Sequence, residues 1–286
     1  MKTSHFNTKV CWITGASSGI GAALAVSLNS MGASLILSAR NKENLENVKR
    51  SCPCPDKIII LACDMEETHS LPALARQAWY LFNGIDYIFL NAGIAVRDMI
   101  IDTDISMIQK VMNINFLGNV MLSKALLPYM LERRSGCFVV TSSLCGKFGV
   151  PKLSAYSASK HALHGFFESL RAEYAGEGIK VTMITAGLVK TNITLRALKG
   201  NGGNYGKMQE SVAAGISPEK CAGSILNAVA KGNCEVLVGA LEKYSVLIKR
   251  FFPGLIRMAI TKHPMKKLRA AGLLPSAGYA ISVASS

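Results

Sequence analysis

Short β-rich runs alternate with helical patterns almost to the end of the chain, and the runs are continuously apolar. The strand candidates are Val10 to Thr14, Ser34 to Ala39, Lys57 to Cys63, Asp86 to Asn91, Cys137 to Ser142, Lys180 to Thr185 and Glu235 to Gly239. Helical stretches fill the gaps, among them Ile20 to Met31, Lys42 to Arg50, Glu67 to Phe82, Asp104 to Glu132, Ala155 to Tyr174 and Pro218 to Ala230. Runs such as Ile58-Ile59-Ile60-Leu61 and Phe138-Val139-Val140 do not alternate apolar with polar, so both faces of each strand must be buried. The expected fold is therefore α/β, a doubly wound parallel sheet of seven strands covered by helices on both faces.

At 286 residues, half of them hydrophobic, the chain can bury a large core without staples. Its eight cysteines lie mostly inside apolar runs, with no C-x-x-C and no paired histidine spacing. Reduced thiols are expected, and neither a metal site nor a disulfide framework. The net charge of +14 is uneven, because residues 243–286 carry eight Lys or Arg and no Asp or Glu. Two regions follow: residues 1–242 as a dinucleotide-binding and catalytic domain, and 243–286 as a basic amphipathic extension. Within the first, the glycine-rich stretch 191–217 reads as a mobile lid. Met1 to Lys9 is polar, and no run reaches about 18 uncharged apolar residues, so neither a signal segment nor a membrane span is expected. The expected location is cytoplasmic, with membrane association through the tail as an addition.

In a sheet of this kind, ligands sit beyond the C-terminal ends of the strands. After the first strand comes Thr14-Gly15-Ala16-Ser17-Ser18-Gly19-Ile20-Gly21, opening directly into a helix. Glycines at this spacing permit a tight turn and a close backbone approach to a pyrophosphate, whose charge then faces free N–H groups and the helix dipole. This makes the sheet Rossmann-type. The second strand ends in Ala39-Arg40, where a ribose 2′-hydroxyl would want an acidic acceptor. Arg40 suits a 2′-phosphate instead, so NADP(H) is expected over NAD(H), the alternative being a merely exposed loop arginine. Asp64 ends the third strand, where its carboxylate can accept from an adenine amino group, with Met65 beside it. Asn91-Ala92-Gly93 ends the fourth.

Tyr156 and Lys160 form Y-x-x-x-K, an i,i+4 pair on one helix face. In a chain with eight tyrosines such a pair also arises by chance, so position decides. Ser142 and Ser143 close the fifth strand, 13 residues separating Ser143 from Tyr156. Ketone reduction needs a general acid at the carbonyl oxygen, and a phenol brought toward neutrality by the Lys160 ammonium and an oxidised nicotinamide would supply it. Ser143 would hydrogen-bond the substrate oxygen. Asn115 is a candidate to hold a water that relays protons to Lys160; the alternative is a helix-interior amide bonded to a neighbouring carbonyl.

Together these motifs resemble the short-chain dehydrogenase/reductase family from Val10 to about Gly239. The stretches 154–162, 204–208 and Phe252-Pro253-Gly254-Leu255 resemble its member-seven group, the B type above all, and more distantly 11β-hydroxysteroid dehydrogenase. The resemblance implies that Gly15, Ser17, Ser18, Gly19, Ile20 and Gly21 form the cofactor turn. It implies adenine binding by Asp64, ribose contact and sheet stabilisation by Asn91 to Gly93, and a catalytic tetrad of Asn115, Ser143, Tyr156 and Lys160. Val189 and Thr191 are implied cofactor contacts, Thr191 at the nicotinamide carboxamide. One departure stands beside them: where the family has Pro-Gly after the sixth strand, this chain has Ala186-Gly187, which implies a looser cofactor grip and lid closure.

The lid residues Ile193, Leu195, Leu198, Tyr205 and Met208 suit a hydrophobic carbonyl or alcohol substrate, unless they simply pack on the core. The tail interleaves Leu247, Phe251, Phe252 and Leu255 with cations; residues 243–269 therefore suit an anionic membrane surface, or a helix pair covering the cleft or a subunit interface. Ala158, Ala162, Gly165, Phe166 and Ser169 on the Tyr156 helix suit a homodimer or homotetramer. Basic charge without a recognition motif gives no reason to expect nucleic acid. The leading expectation is an NADPH-dependent reductase of a lipid-like ketone or aldehyde; the alternative is a catalytically silent NADP(H)-binding regulator or scaffold.

Overall fold

The computed structural model describes residues 5–270, and side chains through residue 261. Two compact units divide between Lys243 and Tyr244.

The first unit is a seven-stranded parallel sheet in the order β3-β2-β1-β4-β5-β6-β7. Its strands are β1 (Val10–Thr14), β2 (Ser34–Ser38), β3 (Ile58–Ile60), β4 (Tyr87–Leu90), β5 (Gly136–Ser143), β6 (Ile179–Ala186) and β7 (Glu235–Val238). All seven sequence-predicted strands are present. Side-chain alternation explains why these runs read as continuous. Cys11, Ile13, Leu35, Leu37, Cys137 and Val139 join the core on one face. Trp12, Ile36, Ile88, Phe138 and Val140 join the core on the other. β1, β2, β4 and β5 thus send apolar side chains both ways, as a sheet with two covered faces requires.

The helices are α1 (Gly19–Ser30), α2 (Lys42–Ser51), α3 (Leu71–Leu81), α4 (Ile105–Met112), α5 (Gly118–Glu132), α6 (Ser154–Glu173), α7 (Glu210–Ala213) and α8 (Pro218–Ala230). Two differ from the sequence expectation. α3 begins at Leu71 and not near Glu67, because Pro72 sits in its first turn and turns occupy the preceding residues. The single helix expected over Asp104–Glu132 is interrupted by a π-turn, Asn113–Leu117, between α4 and α5. Single π-turns of this kind recur at functional sites.

β1 lies between β2 and β4, so the strand order reverses there. In sheets of this kind the ligand crevice lies outside the C-terminal ends of the strands at that reversal, here β1 and β4. The second unit contains α9 (Ser245–Phe251) and α10 (Pro253–Ala270), broken apart where Phe252 leaves helical geometry ahead of Pro253. Among the described residues, no helix is long and apolar enough to cross a membrane.

Candidate active site

Thr14, buried at the end of β1, organises the floor of the crevice. Its hydroxyl donates to the Phe89 carbonyl at 3.3 Å and accepts from the Asn91 and Ala92 amides, each at 3.1 Å. The Asn91 side chain donates back to the Thr14 and Gly15 carbonyls at 3.3 and 3.4 Å. The ends of β1 and β4 are thereby locked together, with the glycine turn above them.

That turn is shaped as a phosphate cradle. Gly15 and Gly19 adopt φ of +66° and +57°, conformations that favour glycine. A Cβ on Gly15 would stand 2.8 Å from Ala92 Cα, and one on Gly19 would stand 3.0 Å from Thr191 Cγ2. Ser18 precedes α1 in extended geometry and its side chain makes no capping bond, so it leaves the first-turn N–H groups for another acceptor. The Ser18 hydroxyl instead accepts from Arg196 at 3.1 Å. The residues therefore fit the pyrophosphate of a dinucleotide. Arg196 escaped the sequence reading, since an arginine 178 positions from the turn carries no local signal.

At the far edge, Arg40 follows β2 and lies 4.0 Å from the Asp64 carboxylate. The Arg40 side chain is 61% exposed, so this contact leaves it largely at the disposal of other anions. Asp64 also accepts from the Glu66 amide at 2.9 Å. Met65 is buried, and its carbonyl lies 2.7 Å from where a Cβ on Gly118 would stand. Met65 thus packs against the start of α5, while Arg40 and Asp64 line one rim.

The structure brings Ser143, Tyr156 and Lys160 together. Ser143 lies close enough to Tyr156 to act on its phenol, and the Lys160 ammonium lies 5.7 Å from the centre of the Tyr156 ring. Lys160 is buried and donates to the Thr141 carbonyl at 2.7 Å. Burial depresses its pKa to about 8, with the nearby Cys145 acting the other way. Tyr156 runs against the expected acidification: burial raises its pKa above the ordinary value, Cys145 adds to that, and Ser143 pulls it back. In the protein by itself, desolvation outweighs the help expected from the ammonium.

Asn115 occupies the π-turn and is fully buried. Its Oδ1 accepts from the Ile94 amide at 2.8 Å, and its Nδ2 donates to the Ile94 carbonyl at 2.9 Å and to Ser159 Oγ at 3.0 Å. It therefore pins the loop after β4 to α6. A Cβ on Gly93 would stand 3.2 Å from Asn115 Oδ1 and 3.6 Å from Lys160 Nζ, so all three residues meet at one point. The Asn115 side chain is thus engaged with Ile94 and Ser159.

Cys145, one of the thiols expected to be reduced, lies near Ser143, Tyr156 and Lys160. Its amide donates to Ser143 Oγ at 3.2 Å, and its side chain reaches Ser143 and Ser157. Burial pushes this thiol up. The loop that carries it is fastened by Lys147, 3.0 Å from Glu235 and 3.2 Å from His164 Nδ1. Thr185 donates to the same carboxylate at 2.6 Å.

Beyond β6 the Ala186-Gly187 stretch is held by hydrogen bonds to β7 and to the segment after it. The Gly187 amide donates to the Val238 carbonyl at 2.6 Å, and the Leu188 amide to Glu242 at 3.0 Å. Val189 is buried and bridges to Ile216. Glu242, another residue missed by sequence, accepts from both the Leu188 and Ala240 amides and so ties this loop to the one after β7. The lid is likewise stitched to the loop after β4. Leu198 donates to the Ala95 carbonyl at 3.0 Å and accepts from Arg97 at 2.8 Å, and Gly200 donates to Asp98 at 3.1 Å. Leu198 packs with Val96, Val111 and Ala155, a core role, whereas Leu195 and Met208 are exposed.

Residues 9–201 match the family profile described as short chain dehydrogenase. The chain belongs to the short-chain dehydrogenase/reductase family. This oxidoreductase is 39% identical over 273 residues to the "Dehydrogenase/reductase SDR family protein 7-like" of Anopheles gambiae, covering 93% of this chain and 86% of that protein. It is 35% identical over 279 residues to the "Dehydrogenase/reductase SDR family member 7B" of Xenopus laevis, covering 95% and 86%. Among solved structures, a short-chain dehydrogenase from Streptomyces avermitilis superimposes with a TM-score of 0.74 at 26% identity, over 93% of this chain and 97% of that one. ElxO, with NADP bound, gives 0.62 at 26% identity over 64% and 75%. An enzyme from Burkholderia phymatum in complex with NAD gives 0.77 at 21% identity over 97% and 99%, a likeness of fold.

Proposed function

We propose that this oxidoreductase uses NADPH to reduce a ketone or aldehyde on a hydrophobic, lipid-like substrate, with Tyr156 as the general acid. The observation that carries the reading is the convergence of Ser143, Tyr156 and Lys160 beside the glycine cradle. A nicotinamide dinucleotide held by the glycine turn and Arg40 would supply the hydride and, once oxidised, a positive charge. Ser143 orients the carbonyl oxygen and stabilises charge developing on it. Tyr156 delivers the proton to that oxygen. The Lys160 ammonium, held by Thr141, favours the resulting phenolate. Burial alone raises the phenol's pKa, which keeps it protonated before turnover and makes the neighbouring positive charges necessary for proton release.

NADPH preference rests on Arg40, a largely exposed planar cation where an acidic residue would select a free ribose. The apolar substrate preference rests on Leu195 and Met208, which the lid presents outward. A homodimer seam on α6 fits Ala158, Gly165 and Ser169, which are exposed on that helix.

The deciding experiment follows NADPH oxidation with a panel of lipid-like ketones and aldehydes, using wild type and Tyr156→Phe. Turnover that falls by about a hundredfold or more in the variant supports the assignment. Unchanged turnover removes Tyr156 as the acid, and bound NADPH without turnover of any carbonyl favours a regulatory role.

A further inference from the structure

Helices that belong to a packed core bury one face. α9 has no buried residue. Phe251 and Phe252 are 67% and 62% exposed, and Tyr244, Leu247, Leu255 and Met258 are exposed with them. Leu247 and Phe251 are one helical turn apart on α9, and Leu255 and Met258 are neighbours on α10. Lys249, Arg250 and Arg257 are exposed between these rings and aliphatic chains. From residue 243 to the end, the sequence has eight basic side chains and no acidic one.

We propose that the α9–α10 unit docks on an anionic lipid surface, lying in the interface with its aromatic and aliphatic side chains among the acyl chains and its cations at the headgroups. Aromatic, leucine and methionine side chains interleaved with Lys and Arg match both layers of such a surface. None of the described helices has the length and hydropathy to span, so the unit lies on the bilayer. A second copy of the same unit is a poor occupant, since two faces without acidic residues repel one another. The proposal extends beyond the catalytic reading and stands independently of it.

The test sediments the full chain with vesicles of phosphatidylcholine alone and of phosphatidylcholine containing about a third phosphatidylserine. The protein is expected to pellet with the anionic vesicles, and raised salt is expected to release much of it. Each interfacial cation contributes about fivefold in partitioning, so Lys249→Gln/Arg250→Gln should weaken binding roughly 25-fold. Phe251→Ser/Phe252→Ser should weaken it by roughly tenfold or more. Circular dichroism checks folding in both variants, and gel filtration reports their mass. Absence of wild-type binding to the anionic vesicles overturns the proposal, as does wild-type binding by both folded variants. If the phenylalanine variant instead halves the particle mass while vesicles bind neither form, the face belongs to a second copy.

Discussion

The Lys160 ammonium donates to the Thr141 carbonyl at 2.7 Å, which fixes a buried cation against β5 four residues along the helix from Tyr156. The bond orients the charge but does not replace the water lost on burial, and the lysine's pKa falls to about 8.

That depression has a sign in stability. An unfolded lysine titrates near about 10.4, so between pH 8 and that value the unfolded chain holds more protons than the folded one, and raising the pH favours the fold. Below pH 8 the full cost of the buried ammonium remains. Removing the lysine removes this dependence. The melting temperature of wild type relative to Lys160→Met should therefore rise from pH 7 to pH 10, measured by calorimetry. A flat difference would show that Lys160 is hydrated in the native state.

Gly15 and Gly19 both have positive φ, but their neighbours differ in rigidity. A Cβ at Gly15 meets the backbone of Ala92, whereas one at Gly19 meets the methyl group of Thr191. Both alanine variants incur about 1–2 kcal/mol of left-handed strain. Gly15→Ala should then lose considerably more stability and NADPH affinity than Gly19→Ala, because a backbone pinned by Thr14 cannot retreat. Thermal shift with and without NADPH measures both. Equal losses would show that the turn relaxes as a unit.

The parallel sheet and its glycine turn were legible because the information is local. Continuous apolar runs require two covered faces, and a glycine turn between strand and helix needs only eight adjacent residues. Asn115 shows where locality ends: its helix, read as one, is broken by a π-turn whose reason lies in Ile94 and Ser159, on other elements. Arg196 and Glu242 were invisible for the same reason, as their partners Ser18 and Leu188 lie far away in sequence. Tyr156 and Lys160 could be placed on one helix face, but not the balance between burial and charge that sets their protons.

The Asn115 bonds to Ile94 and Ser159 suit a positioning role, which substitution can test. Asn115→Ala leaves the Ile94 amide and carbonyl without these partners, at about 1–3 kcal/mol for each buried group. A drop in melting temperature of several degrees is expected, together with a fall in kcat greater than any rise in KM, because the catalytic helix loses its tie. Asn115→Asp keeps the acceptor and should recover less than half of the stability, having lost both donors. A variant of native stability whose kcat still collapses would instead assign Asn115 a direct proton-relay role.

Glu235 links three segments through Lys147 and Thr185. Burial opposes its ionisation, but the bonds from Thr185 and Lys147 prevail and hold its carboxyl below the usual range. Its stabilising share is therefore present above the ordinary glutamate pKa and is lost as pH falls through the depressed native value. Wild type should lose stability relative to Glu235→Gln as pH drops from 6 toward 3. The variant should also show reduced kcat at neutral pH, since Lys147 fastens the loop that follows Ser143. Parallel melting curves for the two proteins across that range would exclude the link.

The proposed preference for NADPH can be tested at Arg40, which follows β2 beside Asp64. Its guanidinium is largely solvated and stands 4.0 Å from Asp64, so the existing ion pair contributes little and is easily reorganised around a phosphate. A planar, bidentate donor facing a phosphate forms one of the stronger hydrogen-bonded ion pairs in proteins, at roughly 1.5–3 kcal/mol. Arg40→Ala should thus weaken NADPH binding by roughly 10- to 100-fold in a fluorescence titration and leave NADH binding within about twofold. Arg40→Lys should recover only part of the loss, because an ammonium keeps the charge but not the planar fork. Asp64→Asn provides the opposing case: it removes the negative charge nearest to Arg40, so NADPH should gain relative to NADH even if both lose an adenine contact. If Arg40→Ala weakened both dinucleotides equally, the arginine would be acting on the pyrophosphate or on the loop, and the preference would have to originate elsewhere on the rim, with Arg196 on the Ser18 turn the first side chain to test.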